Sequence, residues 1–193
     1  LETGRLNTVG YAIRENMPRA WRRGVELSSI LDIGIFRIEG NITLSTNKIA
    51  RYTAFVDRFD ADWNLIDQKQ ETYERTNMLL SPVVVGSLVW TQRLWQGGSL
   101  KLAGKLVGSQ YWDNTGCDQR KIPAYFVQDL GLRQEFSWHG KWTFSADLCN
   151  LFNNRYYAYA WVYRAEVGGK PYQSEGVFTQ APINFLFRLG YEF

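Results

Sequence analysis

Few side chains in this sequence belong to the types that make soft metal sites, redox pairs or nucleophile–base pairs: one histidine, His139, and two cysteines, Cys117 and Cys149. Structural zinc needs four convergent Cys or His ligands, usually in closely spaced pairs. The two cysteines lie far apart and fit no metal or redox spacing. They read as unrelated thiols; a disulfide would require Cys149 near a loop end, and its place inside an alternating stretch argues against one. His139 sits in "WHGK" without a sequence partner for a metal site or a Ser–His–acid set. Asp147 and Asn150, beside "NLFNN", read as turn or hydrogen-bonding residues. No nucleophile–base pair and no carboxylate pair in a catalytic context is visible. The chain therefore reads as no enzyme, a lipase being the remote exception, and it calls for no cofactor and no metal.

The chemistry that is present is one of faces. In the terminal "NFLFRLGYEF", Phe185, Phe187, Leu189, Tyr191 and Phe193 take every second position, with Asn184, Leu186, Arg188, Gly190 and Glu192 between them. Period two is the strand signal. "FRIEGNITLSTN" puts Phe36, Ile38, Gly40, Ile42 and Leu44 on one face, and Arg37, Glu39, Asn41, Thr43, Ser45 and Asn47 on the other. "SLKLAGKLVG", "AYFVQDLGLRQEF" and "KWTFSADLCNLF" repeat the pattern, setting Lys101, Lys105, Asp129, Arg133, Glu135 and Asp147 opposite large apolar residues. No stretch competes as an amphipathic helix.

This alternation predicts seven strands, roughly 19–32, 35–52, 80–95, 98–112, 123–138, 141–157 and 182–193. Several exceed the usual globular strand of about 5–6 residues and meet the roughly 9–11 that a tilted membrane crossing needs. Short glycine-containing turns are expected near 33–34, 96–98 and 139–140, and long connections over 53–79, 113–122 and 158–181. Short turns at one end and long loops at the other is the layout of outer-membrane barrels. Pro18, Pro82, Pro123 and Pro182 fall just before or at the start of every second strand, where a missing N–H is tolerated, and Pro171 falls in the last long connection.

Composition narrows the class. The 193 residues suit one domain, and 45% apolar with 21% charged residues excludes a disordered chain. Aromatics reach 16%. Trp90, Trp95, Phe136, Trp138, Trp142 and Phe193 gather at the short-turn end, and Tyr111, Trp112, Tyr156, Tyr157, Tyr159 and Trp161 at the long-loop end, as two interface girdles would. A net charge of +3 with scattered basic residues gives no nucleic-acid footprint. No run of 18 apolar residues marks a transmembrane helix. "LETGRLNTVG" has no basic segment followed by an apolar run, so it does not read as a signal peptide; for an exported protein the start of the precursor would lie upstream of it. An alternating strand with one charged face also fits a soluble β-sandwich or lipid-binding domain, or a passive porin or small outer-membrane barrel.

Local motifs add a resemblance. "NMPRAWRRGVEL" (16–27), "LSPVVVGSLVW" (80–90), "GSQYWDNT" (108–115), "IPAYFVQDLGL" (122–132), "LCNLFNNRYYAYAWVY" (148–163) and the terminal "LGYEF" occur in an order and spacing that resemble the C-terminal third of a TonB-dependent outer-membrane receptor, most like the Bacteroidetes type. The "NLFNNRYY" stretch followed by a terminal strand ending in Phe is the most specific pair. The resemblance implies an all-β chain: an antiparallel up-and-down transmembrane β-barrel fragment, about seven long strands of a 22-stranded barrel in the Gram-negative cell outer membrane. Residues 1–193 would be the C-terminal portion of the barrel domain, without the plug and without the segment that contacts TonB.

Such receptors bind a scarce extracellular ligand, with a ferric siderophore or other iron source the leading cargo, and import it with energy supplied through TonB. The implied partners are TonB and its inner-membrane energising complex through the missing plug, the outer-membrane insertion machinery through the C-terminal strand, and outer-membrane lipid. Cargo would meet loop residues, here Tyr52, Arg58, Asp60, Trp112, Asp113, Tyr156, Tyr159, Trp161 and Tyr163. Tyr and Trp offer rigid contact surface and Arg pairs with anionic groups. The lipid-facing residues of the terminal strand would be Phe185, Phe187, Leu189, Tyr191 and Phe193, with Asn184, Arg188 and Glu192 facing the lumen. Of the adjacent Arg22 and Arg23, one would point inward and the other toward headgroups.

Overall fold

The computed structural model describes residues 2–6, 12–14, 16–17 and 19–193, with side chains from residue 13 onward. Pro18 lies outside them. The described elements are β1 (Glu2–Leu6), β2 (Ala12–Arg14), β3 (Ala20–Ile33), β4 (Phe36–Phe59), β5 (Leu65–Asn77), β6 (Val84–Trp95), β7 (Gly98–Val107), β8 (Gln110–Tyr111), β9 (Lys121–Ile122), β10 (Tyr125–Ser137), β11 (Lys141–Cys149), β12 (Tyr157–Val167), β13 (Lys170–Thr179) and β14 (Asn184–Glu192). None is a helix.

Seven of these strands form one antiparallel wall in the order β3-β4-β6-β7-β10-β11-β14, a strongly curled half-barrel. They are the seven that alternation predicts, although β6 starts at Val84 rather than 80, β7 ends at Val107 rather than 112, and β11 ends at Cys149 rather than 157 because Asn150 turns the chain into the next hairpin. Register carries the two faces across the whole wall. One cross-strand row runs Leu31–Ile38–Trp90–Leu102–Leu130–Leu148–Phe185, large and apolar at every strand. The next row runs Asp32–Arg37–Thr91–Lys101–Gly131–Asp147–Leu186 on the opposite face. Paired residues of an antiparallel ladder point to the same side, so each row is a continuous strip. On the polar side Arg188 donates to Asp147 at 2.7 Å, and Arg37 to Glu39 at 2.7 Å and Asp32 at 3.4 Å. Phe185, Phe187 and Leu189 are 67%, 65% and 70% exposed, so no described residue covers the apolar face at the terminal strand. Such an exposed apolar face is rare on a soluble monomer and marks a surface made to contact another protein or a membrane.

The short turns are tight. Gly34–Ile35 and Gln96–Gly97 are two-residue connections, and Trp138–Gly140 is the third. Gly97 adopts φ +73°, and a Cβ there would fall 2.1 Å from the Glu135 carbonyl oxygen, so both conformation and space require glycine. At this end Phe136, Trp142, Tyr191 and Phe193 form a ladder of rings with centroid separations of 6.2, 4.6 and 6.0 Å. Such pairs are worth about 0.5–1.5 kcal/mol each beyond their burial. The Trp142 indole N–H donates to the Trp138 carbonyl and the Tyr191 hydroxyl to the His139 carbonyl, so the ring ladder also closes the turn. Pro82, Pro123 and Pro182 each stand two residues ahead of a wall strand, β6, β10 and β14.

The long-loop end differs from expectation. Two of the three long connections are strands rather than loops. β4 continues for 24 residues, more than twice a membrane crossing, and its upper half pairs with β5 in a projecting hairpin. The 158–181 connection is the hairpin β12–β13, with Pro171 on the outer strand β13. A cluster of buried side chains lies here: Ile49, Tyr52, Ala54 and Met78, flanked by Met17 and Tyr73. A wall one sheet thick buries little by itself, so the small core forms where the hairpins give it a second layer. The expected outer girdle at this end does not form as a belt: Tyr156 packs on Tyr125 at 4.5 Å, and Tyr125 stands on the polar-face side of β10.

Candidate functional site

The β12–β13 hairpin rises between β11 and β14 and crosses the concave polar face to the far side of the wall. There β12 pairs with the upper part of β4 through Ala165↔Asp57, Glu166↔Arg58 and Val167↔Phe59. This pairing is parallel, whereas every other strand pairing among the described residues is antiparallel. Gly168 N–H extends it by donating to the Phe59 carbonyl at 3.0 Å.

Side chains on both partners lock the crossing. Arg164 donates to Glu71 at 2.6 Å and to the Tyr73 hydroxyl at 3.2 Å, and Tyr73 donates to the same carboxylate at 2.6 Å. The Glu71 carboxyl is held down at about 2, first by the Tyr73 hydroxyl and, against the opposing effect of burial, by Arg164 and Lys69. Tyr163 donates to Asp57 at 3.0 Å, and Gln68 donates to the other Asp57 oxygen. Burial, and then this bond to a carboxylate, push the Tyr163 phenol up to about 12. Arg58 bridges Glu166 at 3.3 Å and Asp67 at 3.1 Å. Trp63 at the β4–β5 tip meets Tyr172 edge-on at 5.0 Å.

The 112–122 connection supplies a strut. Arg120 is buried, with its Nε 2.7 Å from Asp113 Oδ2, its Nη2 donating to Thr115 Oγ1 at 2.6 Å and its Nη1 reaching Gln173 on β13 at 3.5 Å. Asp113 also accepts from the Thr115 backbone and hydroxyl.

Two cavities lie under this roof. One, of about 400 Å³, sits beneath the tip between Glu71, Arg120, Arg164, Glu166 and Tyr172. Its lining sets Lys69, Arg120 and Arg164 against Glu71 and Glu166, so it is polar with a small excess of positive charge. The second, of about 390 Å³, lies between the hairpin base and the wall, lined by Lys105, Tyr125, Asp129, Cys149, Tyr156 and Gln180 among others. Cys117 and Cys149 are both free thiols. Among the described residues no group of three His, Cys, Asp or Glu side chains is placed to hold a metal ion.

Of the sequence-named loop residues, Tyr52 and Arg58 lie in β4 and Tyr159, Trp161 and Tyr163 in β12, because the expected loops are hairpins. Arg58, Asp113 and Tyr163 are taken up in the contacts that hold the roof. Tyr52 is not a loop residue: it lies within β4, 6% exposed, its ring 6.4 Å from Tyr73. Asp60 closes the β4–β5 turn by accepting from the Asp62 and Asn64 backbone and the Asn64 amide. Tyr159 and Trp161 are each 41% exposed on β12, and Tyr156 lines the wall-side cavity. Trp112 is partly buried, and its indole N–H finds no hydrogen-bond partner. Sequence reading passed over Glu71, Tyr73, Arg120 and Arg164. The signal available was the alternation Tyr157, Tyr159, Trp161, Tyr163 ahead of "GG", which marks a hairpin where a loop was expected.

No family model and no curated protein matches the chain. Solved structures do. The siderophore receptor PiuA from Acinetobacter baumannii superposes with a TM-score of 0.68 at 14% identity, over 89% of this chain and 22% of the receptor. The ferric-catecholate import receptor Fiu from K12 E. coli gives 0.58 at 16% identity, over 97% and 23%. The chain has the fold of a receptor barrel wall. It spans less than a quarter of either receptor, and the likeness at these identities is one of fold. Neither comes from the Bacteroidetes, so that narrower likeness gains nothing from them.

Proposed function

We propose that residues 1–193 are the C-terminal portion of the barrel domain of a TonB-dependent receptor in the Gram-negative outer membrane. It would import a ferric siderophore or other iron source with energy passed through TonB. The observation that carries this reading is the two-faced seven-strand wall: an unbroken apolar row outside, ion pairs inside, and a shape similar to part of two siderophore receptors. β3 and β14 each leave one edge without a wall partner among the described residues, and open edges are very costly in lipid. A larger closed barrel satisfies them.

In this reading the apolar side chains Phe185, Phe187, Leu189, Tyr191 and Phe193 meet lipid. Tyr159 and Trp161, exposed on β12, are the aromatics best placed to touch cargo, with Tyr156 packed on Tyr125, while Arg58, Asp113 and Tyr163 hold the hairpins in place. The plug, TonB and the insertion machinery belong to the whole receptor.

The test is deletion of the full open reading frame in its host, with iron-limited growth and radioiron uptake measured on a panel of ferric siderophores. Loss of uptake from one iron source, together with recovery of the protein in the outer-membrane fraction, is the expected result. Unchanged iron uptake with loss of passive, energy-independent permeation would replace the reading by a porin. Recovery as a detergent-free soluble monomer would replace it by a β-sandwich or lipid-binding domain.

A further inference from the structure

Charge is sorted almost completely between the two faces of the wall. Where the seven strands pair with one another, register sets every carboxylate and all but two cations on the polar side. The exceptions are Arg23 on β3 and Lys48 on β4, which share the apolar side with Leu31 and Ile38. They are diagonal neighbours: Arg23 pairs with Thr46, and Lys48, two positions on, pairs with Trp21. Diagonal positions of an antiparallel ladder lie about 7–8 Å apart, within reach of long side chains.

Neither charge is neutralised. Arg23 is exposed and forms no ion pair among the described residues. Lys48 donates to Asn77 Oδ1 at 2.6 Å, and that acceptor is uncharged. The adjacent Arg22 takes the other course: it turns to the polar side and donates to the Met78 sulfur at 3.1 Å.

Their height on the wall is a second observation. Counted from the tight turn at Gly34, β3 and β4 each complete a membrane crossing of about 9–11 residues before reaching Arg23 and Lys48. Beneath the pair, the same side presents Val25, Leu27, Ile42 and Leu44, 61%, 64%, 39% and 52% exposed. Trp21, 39% exposed beside Lys48, is a residue type that favours headgroup level. Two unpaired cations above an apolar column fit a headgroup with two negative charges and with acyl chains below it. A phosphate monoester carries about −1.5 to −2 at neutral pH. A guanidinium grips two of its oxygens in a fork, and an ammonium adds a point charge.

We propose that Arg23 and Lys48 bind a phosphate monoester borne by a membrane lipid at the long-loop end of the wall, with the lipid's chains lying along Val25, Leu27, Ile42 and Leu44. The site rests on the membrane reading given above and is independent of any cargo.

The test uses the full-length gene product, purified in detergent from outer membranes. Binding of added lipid A, either bisphosphorylated or dephosphorylated, is measured by native mass spectrometry. The parent protein is expected to hold the bisphosphorylated form roughly tenfold more tightly or better. Arg23→Ala and Lys48→Ala together should remove that preference. Arg51→Ala should keep it, because that guanidinium already pairs with Glu74 at 3.0 Å. Should the double variant fail to insert, Thr46→Glu replaces it. A carboxylate opposite Arg23 cancels charge while both cations stay in place, and the preference should fall in the same way. A preference left unchanged by these variants would overturn the site and leave the membrane reading standing. Recovery of the protein as a detergent-free soluble monomer would overturn both.

Discussion

Arg164 on β12 donates to Glu71 on β5 at 2.6 Å although 93 positions separate them. The bond joins the hairpin that crosses the concave face to the hairpin that continues the second wall strand. Tyr73 completes it by donating to the same carboxylate and accepting from the same guanidinium. The loop end is thus organised around one carboxylate whose proton is hard to add, and this sets its response to acid.

The Glu71 carboxyl is held at about 2, well below its ordinary 4.5. A depressed carboxyl contributes stability that is fully present above the unfolded value and is lost as pH falls through the folded one. The protection of the β12 amides at 163–167 against hydrogen exchange, taken relative to the intrinsic rate at each pH, is therefore expected to hold at pH 5 and to fall progressively as pH drops from about 4.5 to about 2. Glu71→Gln removes most of that pH dependence while leaving the wall strands unchanged.

Tyr163 responds at the other end of the scale. Its phenol is pushed up to about 12 by burial and by donation to Asp57, so the folded chain keeps a proton that the unfolded chain releases near 10. The stability it contributes is full below 10 and is lost as pH rises toward 12. Ultraviolet titration of wild type against Tyr163→Phe should show one tyrosine whose ionisation is delayed to that range. At neutral pH the Phe variant should cost the hairpin about 1 kcal/mol, since Gln68 still serves Asp57. An early, normal ionisation of all tyrosines would place Tyr163 off Asp57.

The wall was legible in the sequence because one-sided solvation writes period two into every strand. "FRIEGNITLSTN" and "NFLFRLGYEF" could not be read otherwise, and both register as expected. The upper hairpins were not legible as strands. β5, "LIDQKQETYERTN", is polar on both faces over much of its length, because solvent reaches it on both sides. Nor could the sequence join Arg164 to Glu71 or Arg120 to Gln173, since a long-range ion pair leaves no local pattern. Tyr52 misled for a related reason: it was counted as loop because β4 was expected to end near the membrane boundary, and β4 does not end there.

Turn chemistry gives a third outcome. Gly97 combines φ +73° with a Glu135 carbonyl oxygen 2.1 Å from where a Cβ would lie. The atom in the way is backbone, so the turn itself must shift. Gly97→Ala should cost about 1–3 kcal/mol, seen as a lower temperature for the loss of heat-modifiable gel mobility. Gly169→Ala, at the β12–β13 tip with φ +73° but open space around it, should cost less and leave that temperature nearly unchanged, because its strain lies outside the wall.

The parity of the terminal strand can be tested at two neighbouring positions. Phe187 pairs with Ala146 on the apolar face, whereas Leu186 pairs with Asp147 on the polar one. With the apolar face in lipid as proposed, a lysine at 187 would place a charge in the hydrocarbon phase and cost about 2–4 kcal/mol near the midplane. A lysine at 186 would stand opposite a carboxylate that already attracts Arg188 and Lys101. Phe187→Lys is therefore expected to reduce the amount of folded protein in the outer membrane several-fold, and Leu186→Lys to leave it near wild type. Tryptophan placed at each position gives an independent reading: lipid carrying brominated chains should quench Phe187→Trp and spare Leu186→Trp. Equal quenching at both positions, or the reverse order, would remove the assignment of this face to lipid.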